Sequence, residues 1–292
     1  MSTQTSSGSL AEGKSILITG CSSGIGWETA IKLAGQGFTV FATVRKESDA
    51  AKLGDLGISD LVPVCPVDLT NLEHIANAER LIANELAHRG EKGLYGLINN
   101  AGGGSPAPIE LLELDKFHQE LQARVLGSVA MVQTFLPLLR QAHGRIVWIM
   151  TPALMPTPYV TSIHACDFAI NCIARTLEIE LKPWNIPNIM IRCGGIETPA
   201  GLRTTSDVEM IFGRGLRQRV LLYEKALRKW KRDMNAFDAK RTDPEKVAEV
   251  VLRALIARSP KRRYAVGYMA GAASFLELMP QTVSDWILKQ RF

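Results

Sequence analysis

The chain has 292 residues, of which 46% are hydrophobic and 22% are charged, and its net charge is +5. This length suffices for one large α/β domain, or two small ones, with a sizeable buried core. The basic residues are spread along the chain apart from clusters at Arg214–Arg219, Arg228–Arg232 and Lys261–Arg263, which favour a solvated surface, so we expect no nucleic-acid partner. No apolar run is long enough to span a bilayer, and the polar residues 1–13 predict a disordered tail, not a secretory signal.

The five cysteines lack the close pairing that is typical of metal sites. Their odd number and the apolar surroundings of several of them favour free thiols in a reducing compartment. We therefore predict a cytoplasmic protein that binds no metal ion. The cysteines are Cys21, Cys65, Cys166, Cys172 and Cys193.

The first predicted element is a strand over Ile16–Thr19 that runs through a glycine-rich turn into a helix over Trp27–Gln36. Gly20 would allow the tight turn, Gly24 the approach of a pyrophosphate to the backbone, and Gly26 close packing of helix on strand. The N–H groups at the helix start would face the anion. An ordinary strand–helix turn is the alternative, but the flanking strand and helix favour dinucleotide binding.

The rest of the chain alternates predicted strands and helices. Further strands are predicted over Phe38–Val44, Leu61–Val67, Leu94–Ile98, Arg145–Met150, Asn188–Cys193 and Tyr264–Val266. Helices are predicted over Asn71–Arg89 (capped by Asn71 or Thr70), Leu111–Gln141 (with a break near Pro137), Ile163–Leu181 and Pro244–Arg258. The alternation predicts an α/β fold over residues 14–292: a single Rossmann-type, doubly wound parallel sheet with helices on both faces.

A helical, charged insertion over about residues 199–242 follows the predicted strand Asn188–Cys193. Ligands of open α/β sheets bind at the carboxyl ends of the strands, and loops there commonly carry function. We therefore predict that this insertion is a substrate lid; a purely structural excursion is the alternative.

Several motifs, in this order and spacing, resemble those of the short-chain dehydrogenase/reductase family over about residues 14–270. They are Thr19-Gly20-x3-Gly24-Ile25-Gly26, Asp68, Asn99-Asn100-Ala101-Gly102 and Ile196-x-Thr198. The resemblance implies that the turn formed by Gly20, Cys21, Ser22, Ser23, Gly24, Ile25 and Gly26 surrounds the diphosphate and the adenosine ribose. It also implies that Asp68 and Leu69 border the adenine, that Asn99, Asn100, Ala101 and Gly102 support the backbone beside the cofactor, and that Thr198 lies near the nicotinamide.

The end of the second predicted strand indicates which nicotinamide cofactor is bound. An acidic residue there would accept a hydrogen bond from the 2′-hydroxyl of NAD, whereas this chain has Arg45. A guanidinium can bind a 2′-phosphate with two hydrogen bonds, and Ser22 or Ser23 can donate a further one. We therefore predict NADPH/NADP+ as the cofactor; a surface cation is the alternative interpretation of Arg45.

The residue types that carry catalysis in the family are replaced in this chain. The family uses an asparagine in its fourth helix, a serine after strand five and a Tyr-x3-Lys pair on the next helix. Alignment of the flanking motifs implies that Arg124 replaces the asparagine and Thr151, or alternatively Met150, the serine. It also implies that Ile163 replaces the tyrosine and Asp167 the lysine.

Tyr159 is the nearest tyrosine to the replaced pair, but a lysine would be needed at position 163 for it to take the catalytic role. We predict that Tyr159 lines the substrate pocket or its rim, together with Ile163 and Met150. Without the tyrosine and lysine, carbonyl reduction lacks its acid, and alcohol oxidation its base.

An iminium substrate would avoid this problem, because hydride addition to C=N⁺ gives a neutral amine without an acid. A close charge pair is worth roughly 4 kcal/mol at about 4 Å and an effective dielectric near 20, so Asp167 is predicted to hold a substrate cation. Arg124 is predicted to pair with Asp167, to donate to a substrate carbonyl, or to hold the nicotinamide ribose. A purely structural salt bridge between the two is the alternative.

The Arg124 and Asp167 replacements resemble a fungal subgroup of the family that acts in prenylated indole alkaloid pathways. This resemblance implies an NADPH-dependent reductase and cyclase of the Diels–Alderase or Pictet–Spenglerase type. A redox-silent cyclase or isomerase and a non-catalytic NADPH-binding sensor are the alternatives. Analogy with the family also suggests a homodimer or homotetramer with a small-molecule substrate.

Overall fold

The computed structural model describes residues 11–104, 106–152, 157–201 and 217–291. The strands are β1 Ser15–Ile18, β2 Thr39–Thr43, β3 Leu61–Val64, β4 Leu94–Asn99, β5 Arg145–Met150, β6 Asn188–Cys193 and β7 Arg263–Val266. The α-helices are α1 Gly24–Ala34, α2 Glu47–Gly54, α3 Leu72–His88, α4 Leu114–Leu121, α5 Gly127–Gln141, α6 Thr161–Glu180, α7 Arg217–Asp238, α8 Glu245–Ile256, α9 Ala270–Leu276 and α10 Gln281–Arg291. Short 3₁₀ turns occupy Ile109–Leu111 and Lys182–Trp184, and a π turn occupies Gln122–Leu126.

The strands form one parallel sheet in the order β3-β2-β1-β4-β5-β6-β7. The chain runs outward from β1 to β3 and then crosses back to β4 on the other side of β1. In doubly wound sheets this reversal opens a crevice at the carboxyl ends of the two central strands. The predicted Rossmann-type fold is confirmed.

Helices on both faces explain why β1 and β2 are buried along their whole length. Successive side chains of a strand point to opposite faces. Ile16 and Ile18 accordingly pack on the side of α1 and α8, whereas Leu17 packs with Met131 and Phe135 of α5 on the other side. A continuous apolar run is therefore the expected sequence of such a strand.

The predicted N-cap of α3 is confirmed, because the Asn71 side chain accepts hydrogen bonds from the N–H groups of Glu73 at 2.9 Å and His74 at 3.3 Å. The predicted break near Pro137 is wrong, because α5 continues through this residue. Buried Phe135 and Leu139 hold this part of the helix against the sheet, and such packing outweighs one missing backbone hydrogen bond.

Two predicted segments, the N-terminal tail and the lid, lie partly outside the described residues. Residues 1–10 of the predicted tail lie outside them, but Ala11 is buried and accepts a hydrogen bond from the Lys14 N–H, so the folded part begins earlier than expected. Residues 202–216 of the predicted lid also lie outside them. Its described part, residues 199–201 and 217–242, includes α7, which buries Leu227 and Trp230. Among the helices of the described ranges, none has both the length and the apolar character that a membrane span requires.

Candidate active site

A cavity of 1670 Å³ lies at the carboxyl ends of the central strands, in the crevice that the strand order predicts. One end is bordered by the turn between β1 and α1 and by the segments after β2, β3 and β4. The other end is bordered by α6, α7 and the C-terminal helices α9 and α10. The cavity therefore has two halves. The glycine half lies at the turn between β1 and α1, and the other half is lined by side chains of the later helices.

The glycine turn is fixed by close backbone packing. Gly20 has a φ of +73°, and a Cβ added to it would lie 2.9 Å from the Cα of Ala101. A Cβ on Gly26 would lie 2.3 Å from the Gly20 carbonyl oxygen. The Thr19 hydroxyl accepts hydrogen bonds from the N–H groups of Asn100 and Ala101, and the Asn100 amide donates to the Thr19 carbonyl. These contacts lock the turn onto the end of β4.

The opposite corner of this half contains Asp68, whose carboxylate accepts hydrogen bonds from the N–H and the hydroxyl of Thr70 at 2.9 and 2.8 Å. Partial burial alone would raise the pKa of Asp68. The Thr70 hydrogen bonds and the charges of Arg45 and His74 outweigh it and hold that pKa below its usual range. Arg45 lies at the end of β2 and lines the cavity at this corner. A cation is therefore available where the sequence predicts contact with a 2′-phosphate.

The structure brings most of the predicted cofactor residues to the cavity surface. Gly20, Ser22, Ser23, Gly24, Ile25, Arg45, Asp68, Leu69, Asn100, Ala101, Gly102 and Thr198 all line it. Cys21, Gly26 and Asn99 do not; Gly26 instead packs closely on the Gly20 carbonyl, as the sequence predicts for helix-on-strand packing. Cys21 is fully buried, with its thiol donating to the Ile18 carbonyl and its pKa raised by burial, while Gly26 and Asn99 pack behind the wall.

The floor of the other half is built around a buried ion pair. The Arg124 guanidinium, on the π turn before α5, donates from Nη2 to Asp167 Oδ1 at 2.5 Å and from Nη1 to the Ile163 carbonyl at 3.1 Å. The second Asp167 oxygen accepts from the Thr151 N–H at 3.1 Å. Asp167 is 0% exposed and Arg124 is 8% exposed. Of the roles predicted for Arg124, pairing with Asp167 is the one observed.

The predicted catalytic and pocket residues differ in whether they reach the cavity. Arg124, Met150, Thr151 and Ile163 line it, whereas the Asp167 carboxylate lies beneath them. Tyr159 is not among the lining residues, although its neighbours Val160 and Trp230 are, so its predicted place at the pocket or its rim stays a prediction. Its ring packs edge-on against Trp230 at a centroid distance of 6.0 Å, so that Trp230 faces the cavity and Tyr159 lies behind it.

A sequence profile described as short chain dehydrogenase matches residues 14–209. The chain belongs to the short-chain dehydrogenase family. It is 31% identical over 283 residues to the "Uncharacterized oxidoreductase YbbO" of Escherichia coli strain K12, covering 94% of each chain. It is 30% identical over 256 residues to the 3-amino-tetrahydro-pyrrolizinone reductase of Xenorhabdus hominickii, covering 87% of each.

Solved structures confirm the fold of this dehydrogenase family member. A short chain dehydrogenase from Burkholderia cenocepacia in complex with NADP has a TM-score of 0.72 at 21% identity and covers 95% of this chain and 98% of its own. An alcohol dehydrogenase from Thermococcus sibiricus complexed with 5-hydroxy-NADP has a TM-score of 0.68 at 20% identity, with coverage of 87% and 96%.

The glycine half of the cavity also fits a nicotinamide dinucleotide by its own geometry. Gly20 and Gly24 line this half without side chains, and the N-terminus of α1 borders it. Ser23, the N-cap residue, makes no side-chain hydrogen bond to the first turn of α1. The N–H groups of that turn therefore suit a phosphate. We conclude that the protein is an oxidoreductase of this family with a nicotinamide-cofactor site.

Several residues that line the cavity were not found from the sequence. Glu120 lies one helical turn before Arg124, and this spacing is the signal that could have identified it. His164 lines the cavity next to Ile163. No local signal identifies Trp230, Phe237, Tyr268 and Leu276, because their position depends on where α7 and the C-terminal segment pack.

A second buried arginine attaches this C-terminal segment to the sheet. Arg192 of β6 is 2% exposed and donates to Asn171 Oδ1 at 3.1 Å and to the Pro152 carbonyl at 3.3 Å. It also pairs with Glu277, which directly follows α9. Burial lowers the pKa of Arg192 to about 10. Because Leu276 lines the cavity, this pair fixes part of the cavity wall.

Proposed function

We propose that the protein is an NADPH-dependent reductase of specialised metabolism that acts on an iminium-type, alkaloid-like substrate and controls its cyclisation. The observation that carries the proposal is the buried Arg124–Asp167 pair beneath Ile163, at the positions that the resemblance assigns to the proton-transfer residues. Helix α6 contains neither tyrosine nor lysine.

The residues around the glycine turn would hold the cofactor. Ser22, Ser23 and the N–H groups at the start of α1 would hold phosphate oxygens, Asp68 and Leu69 would border the adenine, and Arg45 would bind the 2′-phosphate. When bound, the nicotinamide supplies hydride to an electrophilic carbon. The cationic side chain at the end of β2 supports a preference for NADP(H) over NAD(H).

The floor residues restrict the chemistry. Ile163 has no proton to give, and both oxygens of Asp167 already accept hydrogen bonds. Ketone reduction needs an acid for the developing alkoxide, whereas an iminium carbon that accepts hydride yields a neutral amine. This difference supports an iminium substrate. One relative is named as a 3-amino-tetrahydro-pyrrolizinone reductase, which supports the reductive direction.

The lining of the cavity away from the glycine turn supports a bulky substrate that can fold during cyclisation. Trp230, Phe237 and Tyr268 border this part of the cavity. Aromatic and apolar walls hold a polycyclic body and exclude water from a reactive intermediate. The Diels–Alderase or Pictet–Spenglerase type of cyclisation is proposed on this basis.

The cofactor part of the proposal is tested by Arg45→Ala. Loss of a charge-assisted contact worth about 1.5–3 kcal/mol predicts that the Kd for NADPH rises by about 10-fold to 100-fold, while the Kd for NADH stays the same. Fluorescence titration of both cofactors measures this. Lys46→Ala is the matched control, because Lys46 is the next residue and does not line the cavity. An unchanged NADPH affinity in Arg45→Ala would contradict the role of Arg45.

The reaction is tested with an N-methyl dihydroisoquinolinium ion and with the ketone α-tetralone, which is similar in size. We expect the iminium ion to cause NADPH oxidation, seen as a loss of the reduced-nicotinamide absorbance, and the ketone to cause none. Ketone reduction at a comparable kcat/KM would overturn the proposal. Cyclisation of a pathway-type substrate without absorbance change would favour the redox-silent cyclase, and cofactor binding without any turnover would favour the sensor.

A further inference from the structure

A short segment over residues 196–201, which follows β6, borders the glycine half of the cavity. Ile196, Thr198 and Gly201 of this segment line the cavity, as does Gly24 of the glycine turn. A Cβ on Gly24 would lie 3.0 Å from Thr198 Cγ2, so the segment lies directly against the turn. A cofactor whose phosphates bind at the start of α1 would therefore meet this segment on its other side.

Arg241, three residues after the end of α7, contacts both ends of this segment. Its Nη1 donates to the Ile196 carbonyl at 2.9 Å, and its Nη2 lies 3.5 Å from the Gly201 carbonyl oxygen. Within the segment, the Gly201 N–H donates to the Thr198 hydroxyl at 3.1 Å. One guanidinium therefore joins the first and the last residue of the segment, and Thr198 lies on the turn between them.

The absence of a side chain at Gly201 makes the second contact possible. A Cβ on Gly201 would lie 2.5 Å from Arg241 Nη1 and 2.9 Å from Arg241 Cζ, so the guanidinium lies on the glycine backbone. A side chain at position 201 would push the guanidinium away. Because the displaced atoms are the far end of a flexible side chain, this displacement requires little change in the rest of the fold.

Arg241 is itself held in place by the end of α7. Its Nε donates to Asp238 Oδ1 at 2.7 Å, and its side chain is 9% exposed. Its guanidinium carbon lies 5.6 Å from the centre of the Phe237 ring. A planar guanidinium that is fixed in this way loses little further side-chain entropy when it contacts the segment.

Backbone hydrogen bonds fix the start of the segment independently of Arg241. The Thr242 N–H donates to the Gly195 carbonyl at 2.9 Å, and the Glu197 N–H donates to the Thr242 carbonyl at 2.9 Å. These bonds hold residues 195–197 at the end of the sheet, whereas the Arg241 contacts reach as far as Gly201. Loss of Arg241 should therefore loosen the part of the segment that carries Thr198 and leave the sheet intact.

We infer that Arg241 is a positioning residue for the nicotinamide cofactor, which keeps segment 196–201 closed against the glycine turn. This inference rests on the cofactor placement proposed above and is independent of the substrate. Arg241 acts through the segment and not through a bond of its own to the cofactor. Without Arg241, the segment would have to be ordered when the cofactor binds, and this entropic cost would weaken binding.

The test compares two ligands in the variant Arg241→Ala. NADPH would span the whole glycine half, whereas adenosine 2′-monophosphate would occupy only the corner at Arg45 and Asp68. We expect the Kd for NADPH, measured by fluorescence titration of the full chain, to rise on the order of tenfold. The Kd for adenosine 2′-monophosphate, measured by competition with NADPH, should stay the same.

Gly201→Ala tests the same contact without removing the arginine. Because its methyl group would displace the guanidinium, we expect the same selective loss of NADPH affinity, with an unchanged urea denaturation midpoint. In the double variant with Arg241→Ala, Gly201→Ala should cause no further loss, since the contact is already absent. Arg241→Lys keeps a charge for Asp238 but has no planar fork, and should restore only part of the affinity.

Arg228→Ala is the matched control, because Arg228 lies on α7, pairs with Glu224 at 2.8 Å and does not line the cavity. It should change neither Kd. The inference is overturned if Arg241→Ala leaves the NADPH affinity unchanged. It is also overturned if Arg241→Ala weakens both ligands equally, as a general loosening of the fold would, or if the losses in Arg241→Ala and Gly201→Ala add up in the double variant.

The outcomes also separate the inference from the proposed function. If Arg241→Ala selectively loses NADPH affinity but the wild-type chain reduces no iminium ion, the role of Arg241 stands and the reductase proposal fails. If the wild-type chain reduces the iminium ion but Arg241→Ala binds NADPH normally, only the role of Arg241 fails.

Discussion

The two halves of the cavity are built in different ways. In the half formed by β1, β2 and β4, backbone groups and absent side chains shape the groove, as the contacts of Gly20 and Gly26 show. In the half formed by β5, β6 and the later helices, charged side chains from distant parts of the chain meet. Arg124 pairs with Asp167 from 43 residues away, and Arg192 pairs with Glu277 from 85 residues away.

This difference separates the structural basis of cofactor binding from the structural basis of the reaction. A groove made of backbone N–H groups accepts any ligand with the same phosphate geometry, so it can be retained while the reaction changes. A floor made of side chains determines which charges and protons are available. The same fold can therefore keep its cofactor and change its reaction by substituting residues on one side of the crevice only.

The largest effect is expected from breaking the buried pair in the side-chain half. Asp167→Ala leaves the Arg124 guanidinium buried without its carboxylate, which should lower the free energy of unfolding by about 3–5 kcal/mol. Urea denaturation of the full chain measures this. The matched control replaces both partners, with Arg124→Met and Asp167→Leu, and should cost much less than the single variant. A loss below about 1 kcal/mol in Asp167→Ala would show that the pair is not desolvated.

A smaller effect is expected from overpacking the backbone half. In Gly26→Ala the new Cβ would lie 2.3 Å from the Gly20 carbonyl oxygen and 2.5 Å from Asn100 Nδ2, so the turn must shift. We expect a loss of stability of about 1–3 kcal/mol together with weaker NADPH binding. Gly54→Ala is the control, because nothing lies within 4 Å of its Cβ. Normal NADPH affinity in Gly26→Ala would mean that the turn tolerates displacement.

The smallest effect is expected from a substitution that lies outside both halves of the cavity. Asn71→Ala removes the cap of α3, whose oxygen accepts from the Glu73 and His74 N–H groups, and should lower stability by about 1 kcal/mol. The kcat and KM values should not change, since Asn71 does not line the cavity. Asn71→Ser, which keeps a capping oxygen, should restore most of the stability. A change in KM without a change in stability would place this helix end in the site.

Local features of the sequence predict the backbone half well. The run Ile16–Thr19 and the three glycines after it identify a strand and a turn, because both depend on near neighbours in the chain. Pro137 shows the limit of such rules, since tertiary packing of α5 outweighs its missing N–H. Tyr159 shows another, because its ring packs behind Trp230 of α7, 71 residues later in the chain, a contact that no local pattern contains.

By itself, the sequence determined the family and the parallel sheet and predicted the place of the nicotinamide cofactor, because strand periodicity, glycine spacing and turn chemistry are local properties. It also identified Arg124 and Asp167 as unusual. Only the tertiary structure decided what they do to each other: they form a desolvated pair under the floor, with Glu120 left at the surface of the cavity. Burial and pairing depend on which helices meet, and that is settled by packing across the whole sheet.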